Sequence, residues 1–197
     1  MRNTVKVAYV DTEGGPTPQQ VGQIQGTPTI KAFVPKRASA RNEKTAVDYD
    51  QAREVNDLVR FATGRMPNFV ESLGDAAALA KLHAKAREWA LPRVLVFSDK
   101  SGQTSSTLKA LSAEYRRRVL IGELRSQKHA DAVKRYGVTS FPTLLCLATA
   151  SDDQPTHRFE NREASYHRLN TFVSKCALKK PVLKKPAGAA DAAKEEL

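Results

Sequence analysis

The sequence contains few of the residues that most often reveal chemistry, with two cysteines, four histidines and one tryptophan among 197 residues. Cys146 and Cys176 lie thirty positions apart, which excludes a CxxC redox pair and a cysteine-rich metal site. Each lies in an apolar stretch, where a cysteine is usually a small buried hydrophobe, and only their geometry can decide whether they form a disulfide. The histidines show no metal-ligand spacing, and we expect all of them on the surface: His83, His129, His157 and His167. We therefore predict no metal site and no cofactor.

Long apolar runs are also missing. No stretch approaches the roughly 18 apolar residues that span a bilayer. The first residues, MRNTVKVAYVDTEGG, lack the apolar segment and cleavage site of a secretory signal. Neither Gly14 and Gly15 nor the SGQTSS segment precedes the Gly-Lys-Ser/Thr of a P-loop. We therefore expect no membrane insertion and no nucleotide binding of the P-loop type.

The charge is strongly basic, with 32 Lys and Arg against 21 Asp and Glu and a formal net charge of +11. Clustered basic residues can neutralise nucleic-acid phosphates. Here the basic residues are mostly spread among acids, and the densest clusters are Arg116 to Arg118 and two lysine pairs near the end. No zinc spacing, RNP-like aromatic motif or recognition-helix pattern accompanies them. We interpret the charge as a solvated basic surface and keep nucleic-acid binding as the least favoured hypothesis.

The strongest pattern is an internal repeat. The segments GTPTIKAF and SFPTLLCL place Pro28 and Pro142 at an offset of 114 positions (142 − 28), and this offset also aligns VKVAYVDT from Val5 with VLIGELRS from Val119. The offset also aligns two apolar helix faces with the same i, i+3, i+4, i+7 spacing. These faces are Val55, Leu58, Val59 and Ala62 in one copy, and Leu169, Phe172, Val173 and Cys176 in the other. Two copies of one folding unit are predicted.

The second copy predicts the order strand, helix, strand, helix, strand, helix, strand, strand, helix. The RVLVFSD run from Arg93 to Asp99 is almost continuously apolar, which is typical of a strand covered on both faces. Alternating elements favour parallel strands, and the closing strand pair, joined by a turn, can be antiparallel. We expect Phe69 and Trp89 to pack in the core of this copy.

The segment YGVTSFPT, followed by an apolar strand, resembles the cis-proline segment of the thioredoxin fold, and IQGTPTIKAF resembles a second one. The resemblance implies an α/β, thioredoxin-like chain, with a C-terminal half-domain over residues 1–65 and a complete domain over residues 66–178. In that family the dipeptide before the proline borders the substrate groove, where an extended peptide can pair by strand addition. The substrate-binding residues implied are Thr27, Pro28, Phe141 and Pro142, acting through shape and backbone hydrogen bonds.

Redox members of this fold carry CxxC at the start of the helix after the second strand, where the helix terminus favours thiolate. Aligning TLKALSAEY with that helix puts Gly102, Gln103, Thr104 and Ser105 at the motif. Without sulfur there is no thiol exchange, so the complete domain is expected to be redox-inactive, with no catalytic residue in this chain. It would resemble the non-catalytic domains of the protein disulfide isomerase family.

The first copy begins at the third strand, which would place its redox loop a dozen residues before Met1. A half-sheet leaves a strand edge and an apolar face uncovered, which natural domains normally avoid. We therefore expect the chain to be the C-terminal part of a longer protein. The missing half would hold the CxxC motif and a signal peptide.

The end of the chain is rich in Lys, Ala and Pro, and we predict a disordered tail over residues 179–197. Its last residues, Lys194, Glu195, Glu196 and Leu197, resemble a KDEL-type retrieval signal, with a departure at the second position. The resemblance implies the endoplasmic reticulum lumen, with a retrieval receptor as partner, provided that a signal peptide lies upstream.

Three functional hypotheses result. The first is the C-terminal part of an endoplasmic reticulum protein disulfide isomerase-like protein, which assists folding and disulfide formation of secretory polypeptides. This portion would bind unfolded or nascent polypeptides or act as a spacer. The second is a non-catalytic scaffold or co-chaperone, because the FSDK and KALSAEY segments resemble thioredoxin-like C-terminal regions of some J-domain proteins. The third is basic nucleic-acid binding.

Overall fold

The computed structural model describes residues 4–36, 43–149, 151–152, 154–160 and 163–186. The chain divides into two compact units, Met1–Pro67 and Asn68–Leu197. The last four residues, expected to act as a retrieval signal, lie outside the described residues.

The first unit contains a β-hairpin and one helix. A short 3-10 turn at Gln19–Val21 precedes the antiparallel pair β1 (Lys31–Pro35) and β2 (Lys44–Asp48), and α1 (Val55–Gly64) follows. The hairpin is closed by an ion pair of 2.7 Å between Lys31 Nζ and Asp48 Oδ1, and an edge-on contact joins the rings of Tyr49 and Phe61. None of the described residues of this unit is buried.

The prediction of a strand at the VKVAYVDT run is wrong. Residues 5–12 form no strand, and the side chains of Val7 and Tyr9 are more than nine-tenths exposed, at 92% and 94%. In the second unit the aligned residues form β5 (Leu120–Arg125), which is hydrogen-bonded to a parallel strand on each side. The described part of the first unit contains no strand parallel to residues 5–12. Their backbone N–H and C=O groups therefore have no sheet hydrogen bonds to make.

The second unit confirms the predicted order of nine elements. Its sheet has the strand order β3-β5-β4-β6-β7. The strands β3, β5 and β4 are mutually parallel, β6 is antiparallel to β4, and β7 is antiparallel to β6. The remaining bounds are β3 (Glu71–Leu73), α2 (Ala76–Glu88), β4 (Arg93–Ser98), α3 (Ser106–Glu114), α4 (Ala130–Arg135), β6 (Thr143–Leu147), β7 (Pro155–Glu160) and α5 (Tyr166–Cys176).

The central strand β4 is buried along its whole length, as its apolar sequence predicted. Successive side chains of a strand point to opposite faces. Val94 and Val96 therefore lie in one apolar cluster with side chains of α3 and α5, and Leu95 and Phe97 lie in a second with side chains of α2 and α4. On β5, a Cβ at Gly122 would approach a leucine methyl of α2 to 2.6 Å, so a larger residue there would force the neighbouring side chains to shift.

The two cysteines form a disulfide, which the sequence had left open. Cys146 lies on β6 and Cys176 is the last residue of α5, with Cα atoms 5.8 Å apart and both side chains buried. The bond joins the sheet to the last helix inside the first apolar cluster. The cysteines are thus core residues, as expected, and also a covalent cross-link.

Two of the four histidines are buried, contrary to the expectation of surface positions. His129, at the start of α4, lies 2.7 Å from the carbonyl oxygen of Leu73 through its Nε2. His83 lies on the buried face of α2, near the hydroxyl of Tyr136. Both imidazoles lie near polar groups of other elements, and the contact of His129 with Leu73 compensates that residue's loss of hydration.

The two aromatic residues expected in the core are only partly buried. The guanidinium of Arg116 lies 4.3 Å from the centre of the Phe69 ring. The Trp89 ring lies beneath Arg117, at 5.5 Å, and Lys185, at 5.7 Å. Their apolar faces are covered by cations from the surface.

The segment after α5 corrects part of the predicted disordered tail. Leu178 and Val182 donate backbone hydrogen bonds to the carbonyls of Arg118 and Arg117, at 2.9 and 2.8 Å. The Arg117 side chain donates to the carbonyl of Leu183 at 3.0 Å. Residues 178–183 are therefore attached to the turn between α3 and β5, and disorder does not describe them.

A buried charge network holds the turn after β6. The side chain of Arg93, at the start of β4, is fully buried and pairs with Asp152. The Tyr136 hydroxyl donates to the carbonyl of Asp152 at 2.6 Å. His83 Nδ1 lies 3.6 Å from Asp152 Oδ1 and, like Arg93 Nε, has no hydrogen-bond partner among the described residues. One carboxylate thus connects β4, α2 and the turn.

Reducing the disulfide should destabilise the second unit by roughly 3 to 4 kcal/mol, because the bond closes a loop whose ends are 30 residues apart. Urea unfolding of the full chain, followed by Trp89 fluorescence, measures this, since the only tryptophan lies in that unit. The double variant Cys146→Ala/Cys176→Ala should be insensitive to reductant. An unchanged urea midpoint of the wild type in reductant would contradict a formed cross-link.

The stability of the second unit should fall as the pH drops below about 6.5 because of His83. Burial and the charge of Arg93 lower its pKa from 6.5, and Asp152 opposes this only in part. The contribution of neutral, buried His83 to the free energy of unfolding is complete above pH 6.5, which is the pKa of histidine in the unfolded chain. Below it the unfolded chain binds the proton first, so stability declines until the pH reaches the lower folded pKa.

The variant His83→Gln removes this titration, so its stability should change less over the same pH interval than that of the wild type. The matched control is His167→Gln, at an exposed position on α5, which should follow the wild type. Urea unfolding at each pH, again followed by Trp89, provides the measurement. Parallel pH profiles for wild type and His83→Gln would show that His83 does not carry the effect.

Candidate functional site

The sheet register brings the predicted site residues of the second unit to one edge. Phe97, near the end of β4, pairs with Thr143, the first residue of β6. The loop that leaves β4 and the Phe141-Pro142 segment that enters β6 therefore lie at the same edge of the sheet. The carboxyl end of β5 lies there too, because β5 runs parallel to β4.

The peptide bond between Phe141 and Pro142 is cis, and both residues are partly buried. The Phe141 side chain packs against the second apolar cluster. The Thr143 hydroxyl donates to the carbonyl of Ser140 at 2.7 Å, which fixes the backbone on either side of the dipeptide. The Phe141-Pro142 segment is thus packed firmly at this edge of the sheet, and we call these two residues the border of the site.

The corresponding segment of the first unit is more open. The bond between Thr27 and Pro28 is also cis, and both residues are exposed. The Arg53 side chain donates to the carbonyl oxygen of Pro28 at 2.8 Å, so one backbone acceptor of this segment is already occupied. Its predicted role in substrate binding stays a prediction.

The four positions aligned with the redox motif have structural contacts of their own. Gly102 has a φ of +105°, a conformation that favours glycine. The Thr104 hydroxyl donates to Glu123 Oε2 at 2.7 Å, and Ser105 caps α3 by accepting from the Leu108 N–H at 3.2 Å. Gln103 is exposed. The loop therefore uses its side chains for hydrogen bonds, and the position offers no sulfur.

Arg125, at the end of β5, holds this loop in place. Its guanidinium donates to the carbonyls of Lys100 at 2.7 Å and Gly102 at 2.9 Å, and to the hydroxyl of Ser98 at 3.3 Å. Its charge is balanced by the buried carboxylate of Glu123, 3.2 Å away. Arg125 and Glu123 thus form a clamp on the loop, which we call the loop clamp.

Our reasoning from the sequence missed the loop clamp. The signal was present in VLIGELRS, where two charged residues interrupt a strand that must be buried at the centre of a parallel sheet. Lys, Glu, Arg and Asp are almost never fully buried unless they are paired. A glutamate at such a position therefore indicates a partner, and the arginine two residues later lies on the same side of the strand.

A polar cavity of about 500 Å³ opens beside the loop clamp. Its walls are residues 98–104, Arg125, Gln127 and Lys128, together with Asn68 and Ser72. All of the side chains that line it are polar or charged. Its volume lies within the range of small-molecule sites, but such sites are mostly apolar, so this cavity is suited to a hydrophilic group.

The described residues contain no candidate metal cluster and no free thiol. No group of three or more His, Cys, Asp or Glu side chains within them converges on a possible metal position. Cys146 and Cys176 are bonded to each other and buried, so neither is an available nucleophile. No helix in the described ranges is both long and apolar enough to cross a bilayer.

Comparison with solved structures identifies the fold as thioredoxin-like. A structure of ERdj5 matches with a TM-score of 0.50 and 18% identity, covering 66% of this chain and 18% of that one. Thioredoxin NaTrxh from Nicotiana alata gives 0.47 and 16%, covering 56% and 95% of the two chains. The thioredoxin Deadhead from Drosophila melanogaster gives 0.45 and 23%, covering 53% and 96%.

No protein-family model matches the sequence, and no curated protein matches it. At 18% identity and a TM-score of 0.50, the match to ERdj5 shows the fold alone. The predicted α/β, thioredoxin-like class is therefore confirmed, and the comparison with ERdj5 adds a match within a larger chain. The narrower assignment to the protein disulfide isomerase family belongs with the proposals.

The loop clamp predicts how substitutions should act. Arg125→Ala should destabilise the second unit by about 2 to 3 kcal/mol, because it leaves the buried carboxylate of Glu123 without its cation. It should also increase amide hydrogen exchange in residues 98–104. The double variant Glu123→Gln/Arg125→Ala should recover part of the stability, because the buried charge is gone, while the loop stays loose. If both variants are equally stable, the pairing of the two charges is not what holds the loop.

Proposed function

We propose that this chain is a non-catalytic, polypeptide-binding part of an endoplasmic reticulum protein disulfide isomerase-like protein. The larger protein would assist the folding and disulfide formation of secretory polypeptides. This part would bind unfolded or nascent chains at the sheet edge formed by the Phe141-Pro142 segment and the loop after β4. This part could also act as a spacer that separates other domains of the larger protein.

One observation carries the proposal. The Phe141-Pro142 segment and the four positions aligned with the redox motif lie at the same edge, and those four positions contain no sulfur. In redox members of the fold, this edge is where substrate and thiol meet. Here the border that a polypeptide would contact remains, whereas the group that exchanges disulfides is replaced by glycine, glutamine, threonine and serine. Binding without exchange is the activity that such an edge supports.

Two further features support a lumenal location. A buried structural disulfide is typical of proteins that fold in oxidising compartments and is rare in the cytosol. The last residues, Lys194 to Leu197, resemble a retrieval signal, for which a retrieval receptor would be the partner.

A non-catalytic scaffold or co-chaperone is the alternative. It is favoured by the loop clamp, which gives the redox-motif positions a structural function of their own. Such a scaffold would bind one folded partner through this edge, whereas a folding assistant would bind many unfolded chains. Competition between unrelated unfolded peptides for one site distinguishes the two.

Binding to the full chain can be measured by fluorescence anisotropy with a labelled, reduced and carboxymethylated polypeptide. We expect micromolar binding and no reduction of insulin disulfides under the same conditions. Phe141→Ala should weaken binding about fivefold or more by loosening the border, as truncation of a central contact does. Phe159→Ala, at another partly buried phenylalanine that packs in the first cluster, is the matched control.

Trp89 fluorescence confirms that each variant remains folded. Equal loss of binding in both variants would show that the Phe141-Pro142 segment has no special role. Measurable insulin reduction by the purified chain would contradict the non-catalytic assignment.

A further inference from the structure

Two lysines of the polar cavity have no acidic partner. Lys100 follows β4 and Lys128 precedes α4, and both are exposed on the cavity wall. Within the ranges that the structure describes, no carboxylate lies within 4.0 Å of either ammonium group. Arg125 and Glu123, by contrast, pair with each other.

The remaining charges of the cavity do not cancel them. Arg125 and Glu123 neutralise each other, and Thr104 satisfies the second carboxylate oxygen of Glu123. Asp99 contributes one negative charge to the wall. The two lysines therefore leave an excess of one positive charge in a cavity whose other lining groups are hydroxyls, amides and backbone.

The proposed occupant indicates the type of anion. Ammonium groups pair with carboxylates and phosphates alike, and the one arginine in this wall already donates to three acceptors and pairs with Glu123. The anionic side chains of an unmodified polypeptide are carboxylates. The free donors are two flexible ammonium groups and the neutral amides of Gln103 and Gln127. Such donors can accommodate carboxylates at variable positions along a bound chain.

We propose that this cavity binds carboxylate side chains of a polypeptide held at the adjacent sheet edge, so that the site prefers segments containing Asp or Glu. This inference rests on the proposed polypeptide-binding function. The sheet edge would supply sequence-independent contacts to the backbone, and the cavity would supply selection for acidic residues. Lys100 and Lys128 are the residues that determine the specificity.

The test uses two fluorescein-labelled extended peptides of identical sequence, except that two glutamates in one are glutamines in the other. At low salt we expect the full chain to bind the acidic peptide about five- to tenfold more tightly, as partly exposed charge pairs allow. The difference should shrink as salt is raised to about 0.5 M, because screening weakens exposed pairs.

The variant Lys100→Gln/Lys128→Gln should remove the difference, because the acidic peptide then binds no more tightly than the glutamine peptide. The matched control is Lys179→Gln/Lys180→Gln, which removes the same charge from exposed lysines outside the cavity wall and should keep the preference. In nitrogen-15 NMR, the acidic peptide should shift the amide signals of residues 100–104 and 127–128 in the wild type.

The outcomes separate the two levels of the proposal. Equal binding of both peptides would overturn the acidic preference and leave polypeptide binding intact, whereas no binding of either would overturn the proposed function. Equal loss of preference in both double variants would assign the effect to net charge and reject the cavity. Tighter binding of a short oligonucleotide that depends on Lys100 and Lys128 would replace the carboxylate with phosphate and also reject the proposal.

Discussion

The burial of β4 on both faces is the constraint on which the rest of the second unit depends. All six residues of this strand are buried, and both apolar clusters are built on its alternating side chains. A strand with this environment can meet polar partners only at its ends. The β4 register with β5 and β6 therefore determines which loops come together at each edge of the sheet.

Charged residues hold the polypeptide at both ends of this strand. At the amino end, Arg93 and Asp152 attach the turn after β6, and at the carboxyl end the loop clamp attaches the loop that enters α3. Burying such charges is costly unless they are paired and hydrogen-bonded, and here each has partners from a different element. Both networks therefore depend on an assembled sheet and define the loop positions once it forms.

The loop clamp changes what the site edge can do. In a redox member of this fold the loop presents sulfur to a substrate, and its reactivity depends on a thiolate. In this chain the same stretch is occupied by a glycine with positive φ, a helix cap and a hydroxyl that is bonded to Glu123. The edge has kept the packed Phe141-Pro142 border beside a polar, positively charged cavity, which suits recognition by noncovalent contacts.

The sequence by itself determined the order of elements in the second unit and the position of its buried strand, because both depend on local apolar periodicity. The resemblance implied that Phe141 and Pro142 border a groove, and the sheet register brings them to the edge where the loop after β4 lies. Only the tertiary structure decided that Val7 and Tyr9 are exposed, that His83 and His129 are buried, that the cysteines are bonded and that Arg125 holds the loop. Each of these depends on residues distant in the chain, because a strand needs a neighbour and a buried polar group needs a partner, and local pattern identifies neither.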